Sequence, residues 1–335
     1  MCNIGSDFFI RFGVVGTSCI TEEFIRCAEL LEDFQLTAIY SRTEERAKEF
    51  GSKYSVSKIF TDINKMAESN CIDAVYIASP NSFHASQAKI FLENKKHVMC
   101  EKPITSNLRQ LEEIINIAKE NKVALMEGMK SSFLPNFYVV KNNLHKIGKI
   151  RRYFSSYCQY SSRYDKYKAG ENPNIFNPKF SNGSLMDIGI YCIYPLVHLF
   201  GEPKNICATG VLLESGVDGE GSLILTYEDM DAVIMHSKIA NSSIPSEIQG
   251  ENGNIIIDKI HTPENIRIAY KNGEIEDITA SQSKDTMYYE AKEFVEIIKS
   301  GKLESSINSY STSKIVMRIL QKARKQMGVV FPADL

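Results

Sequence analysis

The segment HVMCEKPI, His97–Ile104, joins an apolar strand to an abruptly charged end. The apolar residues Val98–Cys100 are followed at once by Glu101, Lys102 and Pro103, with no turn glycine between them. Continuously apolar strands are typical of parallel sheets that are buried on both faces. The carboxyl ends of such strands border the ligand crevice, so the two charged groups are expected to face it. The proline makes the strand exit rigid and is compatible with a cis peptide bond.

Similar strands lie on both sides of this segment and alternate with amphipathic helices. They are predicted at QLTAIY (35–40), DAVYIASP (73–80) and VALMEG (123–128), and a long helix at NLRQLEEIINIAKENK (107–122) precedes the last of them. This alternation predicts an α/β fold with an N-terminal Rossmann doubly wound parallel sheet. Residues 1–126 are accordingly interpreted as a dinucleotide-binding domain.

The pattern changes from about Lys149 to closely spaced strands such as GSLILTYE (221–228). Helical stretches are predicted around 184–200, 287–299 and 309–327. These features predict a C-terminal α+β domain built on a large, mostly antiparallel open sheet. It is assigned to residues 127–335, for substrate binding and oligomerisation.

The amino-acid composition argues against nucleic-acid, membrane and metal binding. The 335-residue chain has a net charge of −2, which gives no general attraction for nucleic acid or a membrane surface. Its eight cysteines form no C-x-x-C pair and its six histidines form no metal-ligand spacing, so no metal is expected. Without a signal-peptide pattern after Met1 or an apolar run near 18 residues, a cytoplasmic protein is predicted.

The first strand leads into GVVGTSCIT, Gly13–Thr21. Gly16 fits the tight-turn position of G-x-G-x-x-G, whereas Ser18 and Thr21 replace the second and third glycines. Amides at the start of the next helix can hold a pyrophosphate. The cofactor contacts predicted here are Gly16, Thr17, Ser18, Cys19 and Ile20. The alternative is a strand-to-helix turn that binds nothing.

The second strand ends in Ser41, Arg42 and Thr43, where an NAD-binding protein would usually carry an acidic residue. A guanidinium between two hydroxyls suits the 2′-phosphate of NADP. NADP is therefore favoured as cofactor, with NAD as the alternative. Ser41 or Thr43 also fits a simple helix cap with Arg42 in solvent.

Further cofactor contacts are predicted where the DAVYIASP strand ends. Ser79, Pro80, Asn81 and His84 follow that strand, at the sheet edge that faces the crevice. Asn81 and His84 are interpreted as contacts on the nicotinamide side, together with Glu101 and Lys102. The alternative is a local turn and cap for the next helix.

The order and spacing of several motifs resemble the Gfo/Idh/MocA oxidoreductases. The family hallmark E-K-P matches Glu101, Lys102 and Pro103, and the resemblance extends from GVVGTSCI to the closing GVVFPAD. It implies a nucleotide-binding domain, a C-terminal open sheet that often forms a dimer interface, and metal-free hydride transfer at a carbinol or carbonyl carbon.

The family pattern G-G-x-x-x-D-x-G-x-H matches NGSLMDIGIY, 182–191, with two departures. Asn182 replaces the first glycine, and Tyr191 stands where many members carry histidine. The tyrosine variant is similar to the branch of dimeric dihydrodiol dehydrogenases and NADP-dependent D-xylose dehydrogenases. Asp187 and Tyr191 are spaced i, i+4 and so share one helix face. The alternative is an ordinary helix start with a half-buried tyrosine.

Lys102 and Tyr191 can together transfer the proton of a substrate hydroxyl. Tyr191 alone, with a reference pKa of about 10, is a poor base at neutral pH. A lysine ammonium about 4 Å away stabilises a phenolate or alkoxide by roughly 4 kcal/mol at an effective dielectric constant of 20. The catalytic residues are therefore predicted to be Lys102 and Tyr191 for the proton, Asp187 for substrate orientation or proton relay, and Glu101 to hold Lys102.

The loop QYSSRYDKYKAGENPNIFNP, 159–178, is rich in groups that bind hydroxyls. Arg163 and Asn177 are substrate-binding candidates beside Lys102, Asp187 and Tyr191, or alternatively structure the loop. The chain is predicted to be an NAD(P)-dependent dehydrogenase or reductase acting on a CH–OH group of a sugar-like or cyclic polyol, or of a diol. A non-catalytic NAD(P)-binding sensor is the alternative. A homodimer is expected, with a tetramer as the alternative.

Overall fold

The computed structural model describes residues 9–335, so Cys2 and the first eight residues of the predicted N-terminal domain lie outside the described residues. The chain forms two compact units. The first contains the chain up to Ile104, Arg109–Met129 and Asp285–Tyr310, and the second contains Thr105–Leu108, Lys130–Lys284 and Ser311–Leu335. The division into residues 1–126 and 127–335 stays a prediction about the folding domains.

The first unit contains a six-stranded sheet. Its strands are β1 (Ile10–Val15), β2 (Phe34–Tyr40), β3 (Lys58–Phe60), β4 (Ala74–Ile77), β5 (His97–Glu101) and β6 (Leu125–Gly128). They follow the order β3-β2-β1-β4-β5-β6, and every neighbouring pair is parallel. The connecting helices are α1 (Cys19–Ala28), α2 (Glu44–Lys53), α3 (Ile63–Glu68), α4 (Asn81–Glu93) and α5 (Leu108–Asn121). The order reverses direction at β1, as in a doubly wound Rossmann sheet.

The second unit contains an eight-stranded sheet. Its strands are β7 (Ile150–Cys158), β8 (Asn205–Leu212), β9 (Asp218–Thr226), β10 (Asp231–Ser237), β11 (Ser246–Gly250), β12 (Gly253–Ile257), β13 (Ile266–Tyr270) and β14 (Ile275–Asp277). Their order is β14-β13-β12-β11-β7-β10-β9-β8, with only β7 and β10 parallel. The predicted fold class, a parallel Rossmann sheet followed by a mostly antiparallel open sheet, is confirmed.

The remaining helices complete the chain. They are α6 (Pro135–Asn143), α7 (Tyr164–Lys168), α8 (Ile190–Phe200), α9 (Met287–Lys299) and α10 (Tyr310–Met327). A π-helical turn, Leu185–Gly189, runs directly into α8. Such turns add one residue to a helical repeat and occur frequently at functional sites.

Aromatic side chains form the core of the first unit. The ring of Phe12 in β1 lies 6.3 Å from Phe24 of α1 and 6.1 Å from Phe294 of α9. Phe24 also stacks on Tyr76 of β4 at 3.7 Å. All four side chains are buried, and each contributes about 1.5–3 kcal/mol to folding through apolar burial. The return of α9 to the first unit therefore completes its core.

The two faces of the eight-stranded sheet differ. In one transverse row the residues of the six inner strands are all buried: Leu225, Ala232, Tyr153, Ile248, Ile255 and Ile268. The row beside it includes Cys207, Ile224, Val233, Phe154 and Glu247, of which Ile224 is 50% exposed. Because side chains alternate between faces, the sheet has one core face and one open face with apolar character.

Within residues 9–335 one stretch is long and apolar enough to cross a membrane by length and composition, although the sequence was expected to contain no apolar run near 18 residues. It is Pro178–Phe200, whose most apolar window has a mean hydropathy of 1.3. Within the protein 72% of that window is buried. Buried core helices of soluble proteins have the same composition, so the stretch is assigned to the core of the second unit.

Candidate active site

A cleft of about 660 Å³ lies at the carboxyl edge of the parallel sheet in the first unit. It is bordered by the ends of β1, β2 and β4 and the loops that follow them. The predicted residues that line it are Gly16, Thr17, Ser18, Ser41, Arg42, Thr43, Ser79 and Pro80. Further lining residues, which the sequence reasoning missed, are Val15, Tyr40, Arg46, Ala78, Phe83 and Gln87. Three separately predicted segments therefore meet at one cleft.

The turn after β1 is shaped to admit a phosphate. Gly16 has a φ of +110°, and a Cβ atom there would come within 2.7 Å of the Ala78 carbonyl oxygen. Only glycine fits this position without displacing the backbone of the neighbouring strand end. Ser18 is the N-cap of α1, and its side chain makes no capping hydrogen bond. A helix start without a side-chain cap suits a pyrophosphate, which accepts hydrogen bonds from the first amides.

Two arginines border the cleft at the end of β2. Arg42 lines the cleft, and Arg46 of α2 lines it one helical turn further on. The Arg46 guanidinium donates to Thr17, with Nε 3.2 Å from Oγ1 and Nη2 3.1 Å from the carbonyl oxygen. Thr43 is the N-cap of α2 but makes no capping bond through its side chain, so the cap interpretation loses its support. The pair of guanidinium groups fits the 2′-phosphate of NADP.

The segment after β4 is held by hydrogen bonds of Ser79 and His84. Ser79 Oγ donates to Gln87 Oε1 at 2.6 Å, and Pro80 is the N-cap of α4. His84 is 1% exposed, and its ring nitrogens lie 2.7 Å from the Ser79 carbonyl oxygen and 2.9 Å from that of Pro103. Burial lowers the pKa of His84, although both carbonyl contacts oppose this. His84 therefore links the loops that follow β4 and β5, and its predicted contact with the cofactor stays a prediction.

The E-K-P segment is fixed from two strands. Glu101 is 9% exposed and accepts a hydrogen bond from the Tyr76 hydroxyl at 2.5 Å. The Lys102–Pro103 peptide bond is cis, as expected. The amide of Ile104 then donates to Oε1 of the buried Glu127 at 3.0 Å. Predicted residues of the first unit that do not line the 660 Å³ cleft are Cys19, Ile20, Asn81, His84, Glu101 and Lys102.

The second unit places Asp187 on the π-helical turn and Tyr191 on α8. The Asp187 carboxylate accepts a hydrogen bond from the Lys238 ammonium. The side chain of Lys238 is 8% exposed and that of Asp187 is 25% exposed. A largely buried ion pair therefore lies on the element that carries Tyr191. Lys238 was not predicted as a site residue, because a single lysine at the end of a strand usually lies in solvent.

The start of this turn is held by groups from the neighbouring strands. Asp218 of β9 accepts from the Leu185 amide at 2.6 Å, and His236 Nδ1 of β10 lies 2.9 Å from Ser184 Oγ. Burial raises the pKa of Asp218 to about 7 and lowers that of His236 to about 3. Gly183 has a φ of +142°, and a Cβ atom there would lie 2.3 Å from Asp218 Oδ1. The backbone geometry just before the turn thus depends on glycine at this position.

Aromatic rings surround Tyr191. Tyr157 of β7 stacks on His261 at 4.2 Å, and both rings lie edge-on to Tyr191, at 5.8 and 6.2 Å. Burial lowers the pKa of His261 to about 4, with Lys130 and Lys259 acting in the same direction. A neutral imidazole and two phenols offer a flat wall with polar edges, which suits a hydroxylated ring. Neither Tyr157 nor His261 was identified from the sequence.

The two loop candidates, Arg163 and Asn177, both make local contacts within the loop. Asn177 caps the short helix Pro178–Phe180 by accepting from the Lys179 amide at 3.0 Å. Arg163 is the residue before α7, and its amide donates to Ser161 Oγ. These contacts favour the loop-structuring alternative for Asn177. Among residues 9–335 no group of three or more His, Cys, Asp or Glu could hold a metal ion.

Comparison with known proteins identifies the family. Residues 10–129 match the oxidoreductase family with an NAD-binding Rossmann fold, and residues 144–256 match the GFO/IDH/MocA C-terminal domain. The chain is 55% identical over 325 residues to the scyllo-inositol 2-dehydrogenase (NADP(+)) IolU of Bacillus subtilis, covering 97% of this chain and 99% of the relative. It is 29% identical to the trans-1,2-dihydrobenzene-1,2-diol dehydrogenase of Xenopus tropicalis, over 96% and 99% of the two chains.

The same architecture occurs in solved structures. KijD10, a 3-ketoreductase from Actinomadura kijaniata in complex with NADP and TDP-benzene, superposes with a TM-score of 0.83 and 23% identity. The match covers 96% of this chain and 99% of that one. The likeness confirms the fold, and the family confirms the predictions of an oxidoreductase and of a nicotinamide dinucleotide cofactor. This chain belongs to the Gfo/Idh/MocA oxidoreductase family.

Proposed function

We propose that this protein is an NADP-dependent dehydrogenase that transfers a hydride between the nicotinamide and a ring carbinol carbon of a cyclic polyol, of the inositol type. The observation that carries the proposal is the 55% identity to a scyllo-inositol 2-dehydrogenase over 97% of this chain. The aromatic wall around Tyr191 agrees with a flat, hydroxylated substrate. Sugars and acyclic diols are less well matched substrate classes.

The first-unit cleft fits the cofactor. Gly16 leaves room for a pyrophosphate, and the amides of Thr17 to Ile20 are suited to bind it. Arg42 and Arg46 would hold the 2′-phosphate, which favours NADP over NAD. When bound, the nicotinamide supplies or accepts the hydride. We assign Ser79, Pro80, Asn81, Glu101 and Lys102 to the nicotinamide side of the site.

The protein's own groups handle the proton. Tyr191, as a phenolate that the Lys102 ammonium stabilises, takes the hydroxyl proton during oxidation and returns it during reduction. The Lys102 ammonium favours the alkoxide and the phenolate over their neutral forms. Asp187 accepts a hydrogen bond from a neighbouring substrate hydroxyl and orients the ring, while Glu101, anchored by Tyr76, holds Lys102.

We assign cofactor binding and substrate binding to successive parts of the chain. Residues 1–126 bind the dinucleotide, and residues 127–335 bind the substrate and form the contact between subunits. The apolar row Cys207, Ile224, Val233 and Phe154 on the open sheet face supports a homodimer, because an exposed face of this kind favours association. A cytoplasmic protein without a nucleic-acid or membrane partner agrees with the net charge of −2.

The alternative of a non-catalytic sensor has less support. A sensor needs no proton-transfer group, whereas this chain retains Lys102, Asp187 and Tyr191. The relatives named above are dehydrogenases. The enzyme is therefore the interpretation that accounts for the most residues.

A substrate screen tests the proposal. Purified protein is mixed with inositol stereoisomers, aldoses and vicinal diols, each with NADP and with NAD, and the absorbance of the reduced cofactor is followed. We expect the highest kcat/KM for an inositol with NADP, and a kcat about a thousandfold lower for a Lys102→Met variant with the same substrate. Tight dinucleotide binding without turnover of any compound would contradict the enzyme and support the sensor.

A further inference from the structure

The ion pair between Lys238 and Asp187 is more deeply buried than a surface ion pair of the same unit. The Lys238 side chain is 8% exposed, whereas the side chains in the Lys146–Glu276 pair of the same unit are 31% and 36% exposed. Removing an ammonium from water is costly, and buried ion pairs frequently do not stabilise a fold compared with apolar residues. A buried lysine facing Asp187 therefore calls for a role beyond stability.

Backbone hydrogen bonds hold Lys238 in place beside the π-helical turn. Lys238 directly follows β10; its amide donates to the Gly219 carbonyl oxygen at 2.8 Å, and its own carbonyl oxygen accepts from Ser161 at 2.9 Å. His236 and Lys238 are two residues apart, so they extend from the same side of the strand. They contact Ser184 and Asp187, which are one helical turn apart. The strand end thus holds the turn at two successive points.

We propose that Lys238 is a positioning residue for the reaction, which acts through Asp187. Its ammonium keeps the Asp187 carboxylate ionised and fixes its rotamer, so that one oxygen is directed at a substrate hydroxyl. This proposal deepens the proposed function and rests on it. Displacing a substrate-orienting group by about 1 Å costs on the order of a hundredfold in rate.

The test is a double-mutant cycle on the full-length protein. Lys238→Met, Asp187→Asn and the double variant are compared with the wild type by kcat and KM, using scyllo-inositol and NADP as probes. We expect Lys238→Met to lower kcat/KM by about a hundredfold with NADP affinity unchanged. The double variant should then be no slower than Asp187→Asn alone, since Lys238 acts through that carboxylate. Lys238→Arg should recover most of the loss.

Two controls separate positioning from folding. Lys146→Met removes a lysine from the Lys146–Glu276 pair and should leave kcat and KM within about twofold of the wild type. Thermal unfolding of every variant detects a loss that comes only from instability. The proposal is overturned by wild-type turnover in Lys238→Met, or by losses of Lys238→Met and Asp187→Asn that multiply in the double variant.

A second measurement does not depend on turnover. The Asp187 carboxyl carbon is followed by ¹³C NMR during a pH titration, and it is identified by its absence in Asp187→Asn. Asp218 of β9 and His236 of β10 face the same turn and titrate in every variant, so the comparison with Asp187→Asn isolates Asp187. We expect Lys238→Met to raise the Asp187 pKa by about one unit or more. An unchanged pKa would overturn the proposal even if the substrate screen had found no activity.

Discussion

The Tyr76 hydroxyl donates a hydrogen bond to Oε1 of Glu101 at 2.5 Å, between the adjacent strands β4 and β5. Tyr76 is fully buried and stacks on Phe24, so its ring has little freedom to move. Burial raises the Tyr76 pKa well above its usual value, and the neighbouring Glu101 charge adds to this. The phenol therefore stays protonated and donates to the carboxylate that precedes Lys102.

Replacing Tyr76 by Phe should lower kcat without preventing cofactor binding. Glu101 loses a donor in a largely buried position, which costs about 1–3 kcal/mol in the free energy of unfolding. We expect kcat to fall by about tenfold as Glu101 and Lys102 lose their fixed geometry, with NADP affinity nearly unchanged. Tyr227→Phe removes a comparable hydroxyl, which bonds to the Gly201 carbonyl oxygen, and should leave kcat intact. Equal kcat in Tyr76→Phe and the wild type would show that Glu101 needs no such anchor.

Replacing Lys102 by Met should remove the charge that stabilises the alkoxide. We expect kcat to drop by about a thousandfold, corresponding to roughly 4 kcal/mol, while fluorescence titration gives an unchanged NADPH affinity. Lys89→Met removes a lysine from an exposed pair with Glu113 and serves as the control. Unchanged turnover in Lys102→Met would remove Lys102 from the mechanism.

Replacing Arg46 by Ala should weaken NADP binding selectively. A charge-assisted hydrogen bond to phosphate contributes about 1.5–3 kcal/mol, so we expect the Kd for NADP to rise by roughly tenfold to a hundredfold. The Kd for NAD should change by less than about threefold, because NAD lacks the 2′-phosphate. Arg318→Ala removes a guanidinium that pairs with Glu202 and should affect neither Kd. A parallel loss for both cofactors would assign Arg46 to the Thr17 turn rather than to the phosphate.

His261 should make the folded protein less stable in acid. Its folded pKa is about 4, because burial disfavours the imidazolium, whereas the unfolded chain has a value of about 6.5. As the pH falls from 6.5 to 4 the unfolded state binds a proton that the folded state does not, so the free energy of unfolding decreases. We expect His261 to account for about 1–3 kcal/mol of this decrease, since its ring is partly exposed.

Urea unfolding at pH 7, 6, 5 and 4 measures the effect. His261→Phe should flatten the decrease below pH 6.5 without abolishing it, because His236, with a pKa of about 3, titrates in the same direction. Asp218 has the opposite sign: with a folded pKa of about 7 it reduces stability as the pH rises from about 4 to 7. The same pH slope in His261→Phe and the wild type would show that this imidazole titrates as it does in the unfolded chain.

Much of the fold could be predicted from hydrophobic periodicity. The strands around 35–40, 73–80 and 97–101 and the helices near 287–299 and 309–327 agree with β2, β4, β5, α9 and α10. The short β3 and α3 were not predicted, because three and six residues are too few to establish a period. The π-helical turn was not predicted either, since its extra residue is imposed by the surrounding contacts.

The candidate site was predictable where a motif fixes the backbone. Gly16 and Arg42 follow strand ends that the sequence reveals, and they line the cleft. Arg46 was not identified because its helix looks like an ordinary charged surface. Lys238 and His261 contact the Asp187–Tyr191 element from 47 or more residues away in the chain, and only the folded sheet brings them together. Residues that act through such long-range contacts leave no local spacing to recognise.

Because α9 belongs to the first unit, it limits where the chain can be cut into separately folding parts. Phe294 contacts Phe12, and the Leu125 amide donates to the Leu303 carbonyl oxygen, so the nucleotide-binding fold draws on residues 282 and 178 positions apart. A gene fragment that stops after Met129 would encode every residue that we propose to bind phosphate but leave part of its aromatic core without a cover. Recombination that exchanges catalytic halves between relatives must therefore carry the segment Asp285–Tyr310 along with the N-terminal part.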